Sequence, residues 1–301
     1  MDTSVMITLG FLVFAIVMFA WEKIPLSITA MVVAVGLHLS GVLSAKEAFA
    51  GFVDPNVLLF MGMFVIGEAF FATGVAVGVG NVVHKFAKTE TSLLVAVMMI
   101  TGILSGFLSN TGTAAVLIPV IIGICKKSGF KQTKLLMPLV FAAAMGGNIS
   151  LIGAPGNMIA QAGLQQAGLG SFGFFDYGLV GLPILIVGTI FYATIGKRFL
   201  PDTPSHQPDG AFEGNDDYSH VPSWKKWTSA LVLILTVGAM IFEKQLGVKL
   251  YVSAWVGALV LVATNVISES AAVRSIDMKT IMLFAALWPL GTQWLKQVLV
   301  L

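Results

Sequence analysis

The sequence predicts an all-α, polytopic membrane protein built on an inverted repeat, with a re-entrant helical hairpin and a broken helix in its first half. Three observations carry this. The 301 residues are 57% hydrophobic and 11% charged, with a mean hydropathy of +0.91. An ordinary soluble domain carries about a quarter charged residues, so this chain has too few to cover a soluble globule, and a cytosolic enzyme is excluded as the default. Two uncharged stretches are too long for one membrane crossing, and the segment after residue 220 repeats the opening of the chain. The composition also excludes disorder. A net charge of +2 offers no basic field for nucleic acid. Four His and a single Cys exclude a disulfide framework or a Cys-rich metal site. Cys125, in an apolar run, reads as a small buried hydrophobe.

A crossing helix needs about 20 mostly apolar residues. Met6 to Ala20 is the first, closed by Trp21-Glu22-Lys23. Its Met-Asp leader has no basic residue and no small-residue cleavage site follows, so it is not a cleavable signal. Pro25 to Leu43 is the second and Pro55 to about Ala76 the third. From Thr91 to Cys125 no residue is charged, and the middle reads Ser109-Asn110-Thr111-Gly112-Thr113. About 35 residues exceed one crossing and fall short of two with a loop. Two apolar arms meeting at a polar tip describe a hairpin over 91–125. Irregular backbone at membrane depth is tolerated only inside protein or beside an aqueous cavity, so the hairpin is buried in a bundle.

The run from Leu135 to Phe175 carries a second break, Gly146-Gly147-Asn148 and then Gly153-Ala154-Pro155-Gly156-Asn157. It predicts a broken helix over 135–168, restarted near Asn157. A last span of the first half covers 177–197. Residues 201–226 form a polar, acidic linker, and three further spans begin near Trp227, Leu250 and Ile281.

The later spans repeat the earlier ones. Trp21-Glu22-Lys23 matches Phe242-Glu243-Lys244, Val42-Leu43-Ser44 matches Val266-Ile267-Ser268, and Val57-Leu58-Leu59-Phe60 matches Ile281-Met282-Leu283-Phe284, with Gly67 on Gly291. Three crossings, a returning hairpin and two crossings make an odd number, so the second unit enters inverted. Residues 1–200 are then the first repeat and 227–301 the start of a second, incomplete one. On the dimensions of the first, its hairpin, broken helix and final crossing would need roughly 120 more residues. Inverted repeats with broken helices near the midplane mark secondary transporters. Lys85, Lys88, Lys126, Lys127, Lys131 and Lys134 flank the hairpin. By the positive-inside rule they face the cytoplasm, together with Lys197, Arg198, Lys225, Lys226 and Arg274, while the turn near Gly170 and the N-terminus face outside. Trp21, Trp224 and Trp227 fit interfacial anchoring.

The breaks suggest a chemistry. Ser, Asn and Thr are favoured helix N-caps, and a helix N-terminus attracts anions. The carbonyls ending the first arm suit a hard cation. The tip can therefore hold Na⁺ and a carboxylate side by side. The second break adds loose carbonyls around Gly146 to Ile149 and donors around Gly156 and Asn157. Two kinked helices with satisfied caps and no ligand would present the same letters.

Phe107-Leu108-Ser109-Asn110-Thr111-Gly112-Thr113-Ala114-Ala115 resembles the Ser-Asn-Thr motif of the divalent anion–sodium symporters, the sodium-coupled dicarboxylate, citrate and sulfate carriers. The segment from Gly146 to Asn157 resembles that family's Gly-Thr-Leu-Ile-Gly-Thr-Pro-Pro-Asn break. The resemblance implies an elevator-type carrier in the cell membrane, usually a homodimer. It implies Na⁺ between tip and broken helix, substrate carboxylates against the Ser-Asn-Thr motifs, and no organic cofactor. Carried over by position, the substrate set is Ser109, Asn110, Thr111, Pro155, Gly156 and Asn157. The Na⁺ set is Ser105, Ser109, Asn110, Gly147, Asn148 and Gly153, partly through backbone carbonyls. Ala154 and Gly156 stand where the family has Thr and Pro, which removes a hydroxyl and leaves the anion open.

The expected activity is sodium-coupled symport of small di- or tricarboxylates. A sulfate carrier is one alternative, and an inactive fragment or membrane scaffold is another. An intramembrane enzyme would need a nucleophile–base pair or metal cluster, and the breaks contain no His, Asp or Cys. Glu68 and His38 are ionisable groups within spans and so functional candidates. Glu68 lies about two turns from the basic end of its span, where it can pair or face the scaffold, and His38 lies near the outer surface.

Overall fold

The structure, a computed structural model, describes residues 3–76, 78, 89–128, 130–200 and 218–298, with only the backbone described for Lys126, Lys127, Gln166, Ser219 and 292–298. Lys85, Lys88 and the acidic part of the linker lie outside the described residues. The described residues form helices α1 (Thr3–Trp21), α2 (Leu26–Leu39), α3 (Ala45–Ala48) and α4 (Pro55–Ala72), then α5 (Glu90–Ser105), α6 (Asn110–Ser128), α7 (Thr133–Gly146), α8 (Pro155–Gln166) and α9 (Gly178–Thr194). After the linker come α10 (Ser223–Ile241), α11 (Glu243–Leu246), α12 (Leu250–Ala263), α13 (Glu269–Ser275) and α14 (Met278–Val298). The expected hairpin is α5 and α6, and the expected broken helix is α7 and α8. The short helices α3, α11 and α13 have no counterpart in the sequence reading. Four to seven residues are too few for a hydrophobic period to register.

The start signals are local. Ser44 caps α3 in a reciprocal box with Glu47, and Ser268 caps α13 through the Ala271 N–H. Asp54 accepts from the Asn56 N–H at 2.8 Å ahead of α4, and Asp277 accepts from the Lys279 N–H at 3.1 Å ahead of α14. Ser44 and Ser268 fall at equivalent places in the repeat register, 224 residues apart, and Asp277 lies one residue short of the equivalent of Asp54. Such caps satisfy N–H groups that a helix start leaves without partners.

The helices form two groups, and the core of the first also takes in Leu108 of the tip, Leu151 and Ile152 of the break and Met158 of α8. In one, α4 packs on α10, α12 and α13, while α1 and α2 pack with α14. In the other, α5 and α7 pack along each other and α9 covers both, around Leu93, Val97, Met98, Leu139 and Leu185. The groups meet where α6 touches α4 and α8 touches α14. α4 is central: 56% of its apolar window is buried, against 17% for α1. α1, α9 and α10 instead expose aliphatic faces such as Leu179, Val187, Leu231 and Ile234, which a bilayer covers.

Packing between the halves is reciprocal. α2 lies along α14, and α12 lies along α4. Ala30 and Ala34 on α2 meet Ala286 on α14, and Gly62 on α4 meets Ala254 on α12. A shift of 224 residues carries Ala30 to Ala254 and Gly62 to Ala286, so one contact is the image of the other. Small residues allow this close approach, which is how helices associate in lipid.

A Cβ built on Gly62 would lie 2.8 Å from the Ala254 Cβ and 3.0 Å from its carbonyl carbon, with no flexible atom to yield. Gly62→Val in the full-length protein is expected to cost about 1–3 kcal/mol by overpacking. Gly238 in α10 meets nothing within 4 Å, and Gly238→Ala should stay within about 1 kcal/mol of wild type. Thermal unfolding in detergent measures both, and equal melting of the two variants would refute this account of the α4–α12 contact.

Candidate functional site

The hairpin turns in four residues. α5 ends at Ser105, the Gly106 N–H returns to the Gly102 carbonyl at 3.1 Å, and Ser109 starts α6 by accepting the Gly112 N–H at 3.1 Å on its Oγ. The second break runs from Gly147 to Ala154. Its carbonyls are gathered by Asn157, whose Nδ2 donates to the Gly147 and Ser150 carbonyls, both at 2.9 Å. Ser150 Oγ donates across to the Gly106 carbonyl of the hairpin tip and accepts the Ile152 N–H at 3.3 Å. Tyr177 Oη donates to the Asn157 carbonyl at 2.7 Å, and the Leu151 N–H to Phe174 at 2.9 Å. Tip and break are thus locked to each other.

Glycines make the approach possible. A Cβ on Gly153 would sit 2.6 Å from the Gly147 carbonyl oxygen and 2.9 Å from that of Gly106, and one on Gly147 would sit 2.5 Å from Asn110 Oδ1.

Oxygens converge at the junction. Asn110 Oδ1 lies 2.6 Å from Ser105 Oγ, 3.2 Å from the Ala143 carbonyl and 3.1 Å from the Gly153 carbonyl. Ser105 Oγ is also 2.8 Å from the Ala143 carbonyl. A hydroxyl has one proton, so it can satisfy only one of its two acceptors. Two arrangements relieve this crowding: the Asn110 amide turned over, so that Nδ2 donates to Ala143, Ser105 and Gly153, or a cation among the oxygens. Ser105 is fully buried.

Beside the junction is a cavity of about 510 Å³. Ser109, Asn110 and Thr111 line it from the tip, and Gly153 and Pro155 from the break. The helix starts of α6 and α8 therefore both border it. Ala154 caps α8 with no side-chain hydrogen bond; Pro155 has no N–H and the Asn157 N–H turns back to the Ala154 carbonyl at 3.1 Å, which leaves the Gly156 N–H of that first turn to offer. Phe60, Phe64 and Phe71 of α4 supply an apolar wall, with Glu68 among them, and Asp277 and Thr280 lie on the far side.

The sequence-derived residues divide. Ser109, Asn110, Thr111, Gly153 and Pro155 come together at the cavity, and Ser105 lies directly behind Asn110. Gly156 is exposed and outside the lining. Asn157 is 5% exposed and holds the loop rather than facing the cavity. Gly147 meets Asn110 with its Cα side while its carbonyl is taken by Asn157. Asn148 turns away: its carbonyl abuts Gly181 of α9 and its Nδ2 reaches Ala144 at 3.4 Å. Glu68 lines the cavity together with the hairpin tip, while Lys85 and Lys88 at the basic end of its span lie outside the described residues. His38 Nδ1 pairs with the Leu43 carbonyl at 3.1 Å, far from the junction in the fold's other core. The sequence reading missed the Ala143 carbonyl, Ser150 and Asp277. Only the last two carry a signal: Ser150 is a polar letter in the break, and Asp277 stands within one residue of the position equivalent to Asp54.

Paired helix breaks locked together beside a cavity, within a bundle of apolar helices, are the arrangement found in secondary transporters. A sequence model of the citrate transporter family matches residues 16–299, and the chain belongs to that family. This agrees with the resemblance carried by the tip and the break. An uncharacterized transporter of Escherichia coli, YfbS, is 33% identical over 70% of this chain and 35% of its own length. The sodium-dependent dicarboxylate transporter SdcS of Staphylococcus saprophyticus is 27% identical over 60% of the chain and 37% of its own length. Sodium/sulfate cotransporter 1 of Chlamydomonas reinhardtii is 26% identical over 67% of the chain and 24% of its own length. The chain spans about a third of the length of the curated relatives it matches.

Asn157→Ala removes two hydrogen bonds from buried carbonyls. It should destabilise the protein by about 1–3 kcal/mol, read as a lower unfolding temperature in detergent. Wild-type melting would show that Asn157 does not hold the break.

Proposed function

We propose that this protein forms part of a sodium-coupled carrier for small di- or tricarboxylates of the succinate, malate and citrate class, working by elevator-type alternating access. The observation that carries the reading is the oxygen cluster of Ser105 Oγ, Asn110 Oδ1 and the Ala143 and Gly153 carbonyls. These are neutral, hard ligands, the kind that suit an alkali or alkaline-earth cation. The sodium named for two relatives supports Na⁺ as that cation. Of the expected Na⁺ set, Ser105, Asn110 and Gly153 are retained here and the Ala143 carbonyl is added. Ser109 serves as the α6 cap, and the Gly147 carbonyl and Asn148 are engaged elsewhere.

The anion would lie in the adjacent cavity, against Thr111, Asn110 and the starts of α6 and α8, whose N–H groups and partial positive charge favour a carboxylate. A cation and an anion on neighbouring faces of one tip attract each other, which is a direct basis for coupling. The cavity of about 510 Å³ with an aromatic wall fits an extended carboxylate better than compact sulfate. The family description and the dicarboxylate relative support the same choice. The packing of α5, α7 and α9 around a core of their own supports the elevator, in which one group moves against the other. The reading takes 1–200 as the first repeat, 201–226 as a cytoplasmic linker and 227–301 as the start of a second. It puts the protein in the cell membrane as a multi-pass homodimer, with the exposed faces of α9 and α10 against lipid or a second copy.

The test is uptake of labelled succinate, citrate and sulfate by the full-length protein in liposomes, with and without a Na⁺ gradient. Asn110→Ala should raise the Na⁺ concentration for half-maximal uptake about ten- to a hundredfold, since a bond to a charged group is worth about 1.5–3 kcal/mol. Unchanged Na⁺ dependence would remove the proposed site, and Na⁺-independent uptake would remove the coupling. Orientation has its own check. A single cysteine replacing Gly170 should react with an impermeant thiol reagent in intact cells and one replacing Lys127 should not, and the reverse pattern would invert the topology.

A further inference from the structure

A second pocket, of about 490 Å³, lies at the other end of the hairpin and plays no part in the transport reading. Three helices contribute to it. Glu90 and Thr91 come from the first turn of α5, Lys134 from the first turn of α7, and Lys197 and Arg198 from the turn that follows α9. Lys134 Nζ is 3.8 Å from Glu90 Oε1, and Lys197 Nζ donates to Thr91 Oγ1 at 3.3 Å. Among the described residues that line it, three cations face one carboxylate, an excess of two positive charges. The start of the 16-residue helix α5 adds partial positive charge.

The surroundings select among anions. Ile195 is 54% exposed and Phe199 76% exposed, immediately on either side of the cationic pair in the chain. They end a helix whose outer face is aliphatic, at the level where a membrane helix gives way to headgroups. A hydrophilic anion would leave Phe199 in water. An anion that carries its own hydrocarbon would cover it. Basic pockets between membrane helices suit phosphate headgroups in this way.

We propose that Lys134, Lys197 and Arg198 bind the phosphate of an anionic phospholipid, whose acyl chains lie over Ile195 and Phe199. The chemistry shared with free phosphate is the anionic oxygen cluster, and only the lipid also uses the apolar shoulder. Because the site joins α5, α7 and α9, an occupied pocket ties together the helices that carry the tip and the first arm of the break. The inference does not rest on the transport reading.

The experiment uses the purified full-length protein in neutral detergent. Its unfolding temperature is followed while dioleoylphosphatidylglycerol, dioleoylphosphatidylcholine or inorganic phosphate is titrated in, and lipid retention is counted by native mass spectrometry. Phosphatidylglycerol should raise the unfolding temperature saturably, and the other two should not at the same concentrations. The double variant Lys197→Gln, Arg198→Gln should bind phosphatidylglycerol at least tenfold more weakly, while its melting in phosphatidylcholine matches wild type. That match shows that the variant is folded. Equal affinity of variant and wild type for phosphatidylglycerol overturns the proposal. So does stabilisation by inorganic phosphate equal to that by the lipid, which would make this a small-anion site. A third overturning result is phosphatidylglycerol binding that appears only after Asp202, Asp209, Glu213, Asp216 and Asp217 are neutralised, since the pocket would then belong to the chain's own acidic segment.

Discussion

A bilayer core offers no water to a backbone N–H or C=O, so every interruption of a helix there must be answered by another part of the protein. This chain interrupts two consecutive helical elements and has each answer the other. Ser150 reaches from the break to the Gly106 carbonyl of the tip, Asn157 collects the Gly147 and Ser150 carbonyls, and Ser109 caps the helix that leaves the tip. What this mutual capping leaves over sits at the junction, where the acceptors around Asn110 are met either by its own amide turned over or by a cation. The glycines at 147 and 153 follow from the same constraint, since a methyl group at either would push tip and break apart.

The site lies where the two helix groups meet. The group of α5 to α9 holds both breaks, and the group around α4 presents an aromatic wall to them. The cavity is the gap between these bodies, bounded on one side by polar helix starts and on the other by phenylalanine rings. The hydrogen bonds of the tip run within its own group, while Leu108 packs into the core around α4.

Much of this was legible in the sequence, for physical reasons that also explain what was not. Length against membrane thickness exposed the hairpin and the broken helix, because neither uncharged run fits a whole number of crossings. The polar letters Ser109 to Thr111 and the glycines of the second run marked where the breaks fall. The repeat register was visible in Glu22-Lys23 and Glu243-Lys244, and the equivalent caps Ser44 and Ser268 extend it. Side-chain direction was not legible. Asn157 and Asn148 sit in the same polar break as Gly153, yet one folds back on the loop and the other turns toward α9. A backbone carbonyl such as that of Ala143 has no letter of its own. Glu68 could be placed on a span by counting, but which neighbour it faced depended on how α4 packs, and hydropathy says nothing of that when a helix is apolar all round.

The reciprocal packing of the halves bears on how such a protein is made. α2 is complete at Leu39, but the helix it lies along begins at Met278. At synthesis rates of about 5–20 residues per second, α2 waits roughly 10–50 s in the membrane before its partner emerges. α4 waits nearly as long for α12. The small-residue faces of Ala30, Ala34 and Gly62 are open to lipid, or to unrelated helices, throughout that interval. Assembly of the first half is therefore postponed until the second is inserted, and the nascent chain depends on whatever holds its early helices apart from strangers. A mutation on those faces would act first on biogenesis, as lost yield, before it altered any property of the finished molecule.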